Sequence, residues 1–269
     1  MGTMMKIGWV GLGMIGTAMV RRLLGAGFSV TVYQRGQGLD EVKSRGARTD
    51  QDYASLASGS DLLVLCVYSD AQLREVLLDG GALAAMPGGS IVAIHTTGSP
   101  ALMRELAAAA PPGVQVLDVT FSGGPHDVEA AGLTLMVGGD EAALERARGA
   151  LQTYARTINH LGPVGSGQIV KLINNLLFAT NLMNAANALS LVQAQGFDGA
   201  AIARIIGTCS GASYAMARFE APLPMSSLLE RVRPYLEKDV AVAMTAAAAS
   251  GLDTTAFADT ARYFSPSKD

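Results

Sequence analysis

Short, almost uninterrupted apolar runs alternate with longer amphipathic stretches in the first part of the chain: Ile7 to Val10, Val30 to Tyr33, Leu62 to Val67, Ile91 to Ile94 and Val114 to Val119. Runs of this length, apolar at nearly every position, predict strands buried on both faces, and the helical spacers between them predict parallel pairing. Glycine and proline fall where each intervening helix has to stop, at Gly25-Ala26-Gly27, Gly80-Gly81, Pro87-Gly88-Gly89 and Pro111-Pro112-Gly113. The expected unit is βαβ, repeated.

Leu133 to Val137 reads as the last β-like run, and from Gly165 onward the pattern turns helical and Ala-rich. Gln168 to Gln195 contains no proline and no internal glycine, enough for a helix of about 40 Å. Its apolar residues Leu172, Ile173, Leu176, Leu177, Phe178, Leu182 and Met183 lie almost all round, which predicts burial on several sides, one of them supplied by a second copy of the chain. The expected fold class is α/β: a sheet domain over residues 1–163, then an all-helical domain over 164–269 entered by the long helix. The Ala-rich tracts at 106–110 and 240–249 are shorter than the roughly 20 residues of a membrane span and fit helical propensity instead. The tail Ser265 to Asp269 reads as a frayed end.

Composition narrows the function. The 269 residues are 49% hydrophobic and 16% charged with a net charge of -3, which excludes a disordered chain and lacks the basic excess of a nucleic-acid binder. Cys66 and Cys209 cannot build a disulfide framework and read as buried small hydrophobes in a reducing compartment. The start of the chain has no pattern of a secretion signal, so the expectation is a cytoplasmic protein without membrane or nucleic-acid partners.

The first apolar run leads into Gly11-Leu12-Gly13-Met14-Ile15-Gly16 and then a helix-like segment, the setting a dinucleotide-binding loop requires. In such a loop Gly11 permits the tight turn, Gly13 lets a pyrophosphate approach the backbone, and Gly16 allows close helix-strand packing beneath a helix N-terminus that favours anions. The first domain is thus expected to be a Rossmann unit. The second run ends in Tyr33-Gln34-Arg35-Gly36, with no carboxylate for the ribose hydroxyls of NAD. Gln34 is neutral and Arg35 offers a fixed cationic fork to a 2′-phosphate, so NADP(H) is favoured over NAD(H); the alternative is a solvated surface arginine. Cys66 and Val67, ending the third run, and Thr96, following the fourth, belong to the expected cofactor set.

Lys171 and Asn175 stand four residues apart on the long helix, one face, able to reach the same substrate oxygen. A carbonyl that accepts a hydride needs a proton on oxygen, and a lysine can supply it if desolvation or a second cation lowers its pKa from about 10.4. A snorkelling lysine is the structural alternative. Ser122-Gly123-Gly124 offers a hydroxyl and exposed backbone N–H groups, suited to a carboxylate or phosphate, or it is an ordinary flexible loop. His95 and His126 adjoin these motifs and could touch substrate, although neither is placed in the catalytic set; with His160 they show no metal-site spacing, and no metal is expected.

The glycine loop, Asp118-Val119-Thr120-Phe121-Ser122-Gly123-Gly124, Gly162-Pro163-Val164-Gly165-Ser166-Gly167 leading to Lys171 and Asn175, and Lys238-Asp239, in this order, resemble the β-hydroxyacid dehydrogenase family over nearly the whole chain. The resemblance implies an active site in a cleft between a Rossmann and a helical domain, a small carboxylate substrate anchored by Ser122, Gly123 and Gly124, and Lys171 as proton donor with Asn175 beside it. It also implies Thr96 and Thr97 near the nicotinamide ribose, Lys238 at the nicotinamide end with Asp239 as support, and a homodimer or dimer-based tetramer. The chain departs from the family at Thr120, usually Pro, at Phe121, usually Val, at Ile94, often acidic, at Asn187, often Glu, and in a short stretch from Ala217 to Arg233. The departures at Thr120 and Phe121 predict an altered pocket wall. The expected activity is hydride transfer between nicotinamide and a small β-hydroxy acid or its semialdehyde. Imine reductase of the same fold is the alternative, against which Lys171 argues; 6-phosphogluconate dehydrogenase ranks third, and a non-catalytic NADP sensor is the reading from outside enzymology.

Overall fold

The structure, a computed structural model, describes residues 5–221, 225–249, 251 and 253–264. The chain divides into two compact units, Met1–Lys171 and Leu172–Asp269.

Among the described residues the first unit holds one sheet of eight strands: β1 Lys6–Val10, β2 Ser29–Tyr33, β3 Arg48–Asp50, β4 Leu62–Leu65, β5 Ile91–Ile94, β6 Gln115–Ser122, β7 Leu133–Gly138 and β8 Ala155–His160. Their order is β3-β2-β1-β4-β5-β6-β7-β8, parallel except for the antiparallel β6–β7 pair. This is the doubly wound arrangement, and its direction reverses between β1 and β4, where open α/β sheets bind ligands beyond the strand ends. Side chains alternate between two cores. Ile7, Trp9, Leu62, Val64, Ile91 and Ala93 enter one, and Val10, Leu63, Leu65, Val92 and Ile94 the other. Each fully buried side chain of this kind contributes roughly 1.5–3 kcal/mol, so a strand apolar at every position is stabilised from both faces.

Two strands escape the apolar pattern. Leu133 to Val137 is not the last strand, because Ala155–His160 follows it at the sheet edge with only Ala155 fully buried. Arg48–Asp50 closes the other edge and buries no residue fully. An edge strand needs its backbone ladder but not two apolar faces, which is why neither reads as a strand.

In the second unit the described residues are helical: the rest of the long helix Ser166–Ala194, then Gly199–Ile206, Tyr214–Ala217, Met225–Ala249, a short 3-10 turn and Ala258–Tyr263. Leu172, Leu176, Ala179, Leu182 and Leu189 of the long helix enter the core with Phe219, Leu236, Val240 and Phe264. Burial on several sides does not hold within the chain, since Ile169, Ile173, Leu177 and Leu191 are exposed. Among the described residues no helix is long and apolar enough to cross a membrane. The tail Ser265–Asp269 and part of the stretch 217–233 lie outside the described residues.

Candidate active site

The glycine loop follows β1. Gly11 has φ +106°, and a Cβ there would stand 2.2 Å from the carbonyl oxygen of Cys66, so only glycine allows β1 and β4 to end this close together. At Gly16 a Cβ would stand 2.1 Å from the Gly11 oxygen, which also accepts from Trp9 Nε1 at 2.9 Å. Gly13 differs: it caps the helix Met14–Gly25 without a side-chain bond, and a Cβ on it would meet nothing within 4 Å. Its space is free for a ligand rather than filled by protein. The first-turn N–H groups of an uncapped helix and a bare Cα suit a pyrophosphate, so these residues fit a dinucleotide. Met14 is exposed, Ile15 half-buried and Leu12 buried, its carbonyl accepting from Gly38 N at 3.2 Å.

At the end of β2, Tyr33 stacks on Tyr53 at 4.0 Å between ring centroids. Burial, with Tyr33 adding to it, pushes the Tyr53 phenol up to about 12. Gln34 Oε1 accepts from Gln51 Nε2 at 2.9 Å, and the Arg35 guanidinium is 67% exposed and 3.5 Å from the Glu75 carboxylate. Across the sheet reversal, Cys66 is half-buried, and burial pushes its thiol up to about 12. The expectation that both cysteines are buried fails at Cys209, which is exposed after the helix Gly199–Ile206.

Val67 donates its N–H to Thr96 Oγ1 at 3.0 Å, so the Thr96 hydroxyl, in a residue 3% exposed, ties the loop after β4 to the loop after β5. Gln168, fully buried in the first turn of the long helix, donates Nε2 to Thr96 O at 2.8 Å and accepts from Gly98 N at 2.9 Å. Asp118, fully buried on β6, accepts from Gly165 N at 2.7 Å and Gln168 N at 2.8 Å. Burial holds its carboxyl above the ordinary carboxylate range against the pull of those donors. Thr120 is also fully buried, its hydroxyl within hydrogen-bond reach of the Gly167 and Met136 carbonyls. The departure at Thr120 therefore alters the helix anchorage rather than a pocket wall. Sequence reasoning missed Gln168 altogether and read Asp118 only as the start of a motif.

Ser122 ends β6 and is half-buried. Gly123 has φ +126°, with Leu133 and Asp127 crowding the place of a Cβ. The Gly124 N–H is not open, because it donates to Asp127 Oδ2 at 2.7 Å, which corrects the expectation of exposed N–H groups at that residue. Phe121 lies 5.8 Å, ring centroid to Nζ, from Lys171, which is half-buried in the second turn of the long helix. His95 does not face a substrate: 1% exposed, it donates Nδ1–H to Val119 O at 2.5 Å and accepts at Nε2 from Tyr154 OH at 3.0 Å. Burial lowers its pKa to about 4 and keeps it neutral. His126 is exposed in the short helix Pro125–Glu129.

In the second unit Asn175, 9% exposed, donates Nδ2 to Asp239 Oδ2. The other Asp239 oxygen is 3.0 Å from Lys238 Nζ, and Asp239 is 5% exposed. A charge pair this buried is no solvated surface pair, and one carboxylate holds both Asn175 and Lys238. Ile94 is buried within β5, and Asn187 is exposed.

A family model described as the NAD binding domain of 6-phosphogluconate dehydrogenase matches residues 6–162, and one described as NAD-binding of NADP-dependent 3-hydroxyisobutyrate dehydrogenase matches 165–267. The chain is 32% identical to an NAD-dependent L-serine dehydrogenase of Pseudomonas aeruginosa, covering 93% of this chain and 88% of that protein. It is 34% identical to a 2-(hydroxymethyl)glutarate dehydrogenase of Eubacterium barkeri, covering 78% and 71%. The structure of Mycobacterium tuberculosis 3-hydroxyisobutyrate dehydrogenase with L-serine superposes with a TM-score of 0.86 at 28% identity, covering 97% and 93%. Matches that take in the glycine loop, the Ser122 loop, Lys171 with Asn175, and Lys238 with Asp239 place the chain in the β-hydroxyacid dehydrogenase family, NAD(P)-dependent oxidoreductases acting on CH–OH groups.

Proposed function

We propose that the protein is an NADP-preferring dehydrogenase or reductase that interconverts a small β-hydroxy acid and its semialdehyde, with residues 1–163 binding the dinucleotide and 164–269 serving substrate binding and dimerisation in the cytoplasm. The observation that carries the reading is the long helix: its first turn is fixed by Asp118 and Gln168, Lys171 follows one turn on, and Asn175 one turn beyond is held by Asp239.

The dinucleotide, when bound, supplies or accepts the hydride. Gly11 to Gly16 hold its pyrophosphate, and Gln34 and Arg35 its 2′-phosphate. Cys66, Val67, Thr96 and Lys238 complete its binding set. The Ser122 hydroxyl and the Gly123 backbone hold the substrate carboxylate, with Gly124 shaping the loop through its bond to Asp127. Lys171 Nζ gives a proton to the substrate oxygen during reduction and takes it back during oxidation. Asn175 orients that oxygen with its amide, whose rotamer Asp239 fixes.

NADPH oxidation tested against glyoxylate and succinic, methylmalonic and tartronic semialdehydes, with a cyclic imine and with NADH in parallel, decides the reading. Turnover of an aldehyde acid is the expected result. Turnover of the imine alone makes the protein an imine reductase, and tight NADPH binding without turnover of any of them leaves a substrate outside this panel or a sensor as the two options.

A further inference from the structure

β2 ends without a carboxylate, yet one reaches the same corner from elsewhere in the fold. Glu75 opens the π-helical turn Glu75–Asp79, and its Oε1 lies 3.5 Å from Arg35 Nη1 and 3.5 Å from the Tyr53 hydroxyl, which donates to it. Tyr53 is itself fixed, stacked on Tyr33 at 4.0 Å, with Gly80 so close beneath that a Cβ there would stand 2.6 Å from the ring. Tyr33, Tyr53, Arg35 and Glu75 thus form one cluster contributed by a strand end, a helix start, a loop and a π turn.

We propose that Glu75 is a cofactor-selecting residue that opposes Arg35, holding its guanidinium in the free protein and repelling a 2′-phosphate in the complex, so that the chain accepts NADH as well as NADPH. The proposal rests on the reading that Arg35 meets the 2′-phosphate. One guanidinium then has two anions to serve. A phosphate monoester carries about -1.5 to -2 charges, and a carboxylate a few ångströms away raises the free energy of bringing it in. NADH brings no such charge, and a carboxylate at this corner accepts from ribose hydroxyls, the part that an acidic residue at the end of β2 plays in NAD-selective folds. With Arg35 67% and Glu75 50% exposed, the pair is weak and screened, which lets the guanidinium exchange partners on binding.

The test uses the purified full chain, titrated at low and moderate salt with NADPH, NADH, 2′,5′-ADP and 5′-AMP, comparing wild type with Glu75→Gln and Arg35→Ala. Glu75→Gln should tighten NADPH and 2′,5′-ADP by roughly threefold to tenfold at low salt, and by less at higher salt, while NADH and 5′-AMP stay level or weaken. A Glu75→Gln protein that binds NADPH and NADH in the wild-type ratio, or NADPH more weakly, overturns the proposal if Arg35→Ala still loses NADPH selectively. Equal weakening of NADPH and NADH by Arg35→Ala removes the underlying cofactor reading as well. An unchanged unfolding midpoint for Glu75→Gln shows that the ratio, not the fold, has moved.

Discussion

Gln168 and Thr96, 72 residues apart in sequence, are joined by a 2.8 Å hydrogen bond from the Gln168 amide to the Thr96 carbonyl, while the Gln168 oxygen accepts from Gly98 N. One buried amide therefore fixes the loop after β5 against the first turn of the helix that carries Lys171. Gln168→Leu keeps the volume and leaves a buried carbonyl and a buried N–H without partners, so unfolding in urea should show a loss of roughly 2–4 kcal/mol. A loss below about 0.5 kcal/mol, the size of an ordinary surface substitution, would show that water replaces both bonds.

Gly13 and Gly16 should answer alanine in opposite ways. Gly13→Ala meets open space at φ -75°, so its melting temperature should match wild type while NADPH binding weakens by roughly tenfold or more, the methyl standing where the pyrophosphate approaches. Gly16→Ala collides with the Gly11 carbonyl and should lose about 2 kcal/mol or more of stability. Wild-type NADPH affinity in Gly13→Ala would sink the placement of the pyrophosphate.

Lys171→Ala should leave NADPH affinity near wild type and lower turnover of the best substrate from the panel by roughly 10²-fold or more. Unchanged turnover would remove Lys171 from the chemistry.

If Asp239 acts through Asn175, the two form one unit. Asn175→Ala and Asp239→Ala should each lower kcat/KM by about tenfold, and the double variant should be little worse than the weaker single variant. Multiplying losses would mean that the 239 carboxylate contributes independently, through Lys238.

His95 gives the fold an acid limit. Its folded pKa, lowered to about 4 by burial, lies below the ordinary 6.5, so the unfolded chain binds the extra proton first as the pH falls. The stability this group contributes is complete above pH 6.5 and is lost progressively down to about pH 4, roughly 3 kcal/mol in all. Urea midpoints between pH 7 and 4.5 should fall less steeply in His95→Gln than in wild type, and parallel curves would assign the acid sensitivity to other groups.

The sequence was legible where physics acts locally. A strand buried on both faces is apolar at every position, and a helix without glycine or proline runs on until Gln195 and Gly196, so β1, β4, β5 and the long helix could be read directly. A glycine loop between strand and helix is likewise a local signal. Edge strands β3 and β8 were hidden because they pair on one side and face solvent. The anchors Asp118, Thr120 and Gln168 were hidden because their partners lie 16 to 72 residues away, and no spacing reports such contacts. The Gly124 N–H looked open in sequence because Asp127, three residues on, reads as an ordinary first-turn acid of the next helix.

β6 holds the start of the long helix at Asp118 and presents Ser122 at its far end, four residues on. At about 3.3 Å per residue the two are separated by a fixed span of roughly 13 Å, and the pleat puts both on the same face of the strand. The strand is thus a ruler with two marks. A single-residue insertion between them would turn one mark to the opposite face and cancel anchorage or substrate loop outright, whereas a two-residue insertion would keep both faces and lengthen the reach, so length changes in this segment should be admissible only in steps of two.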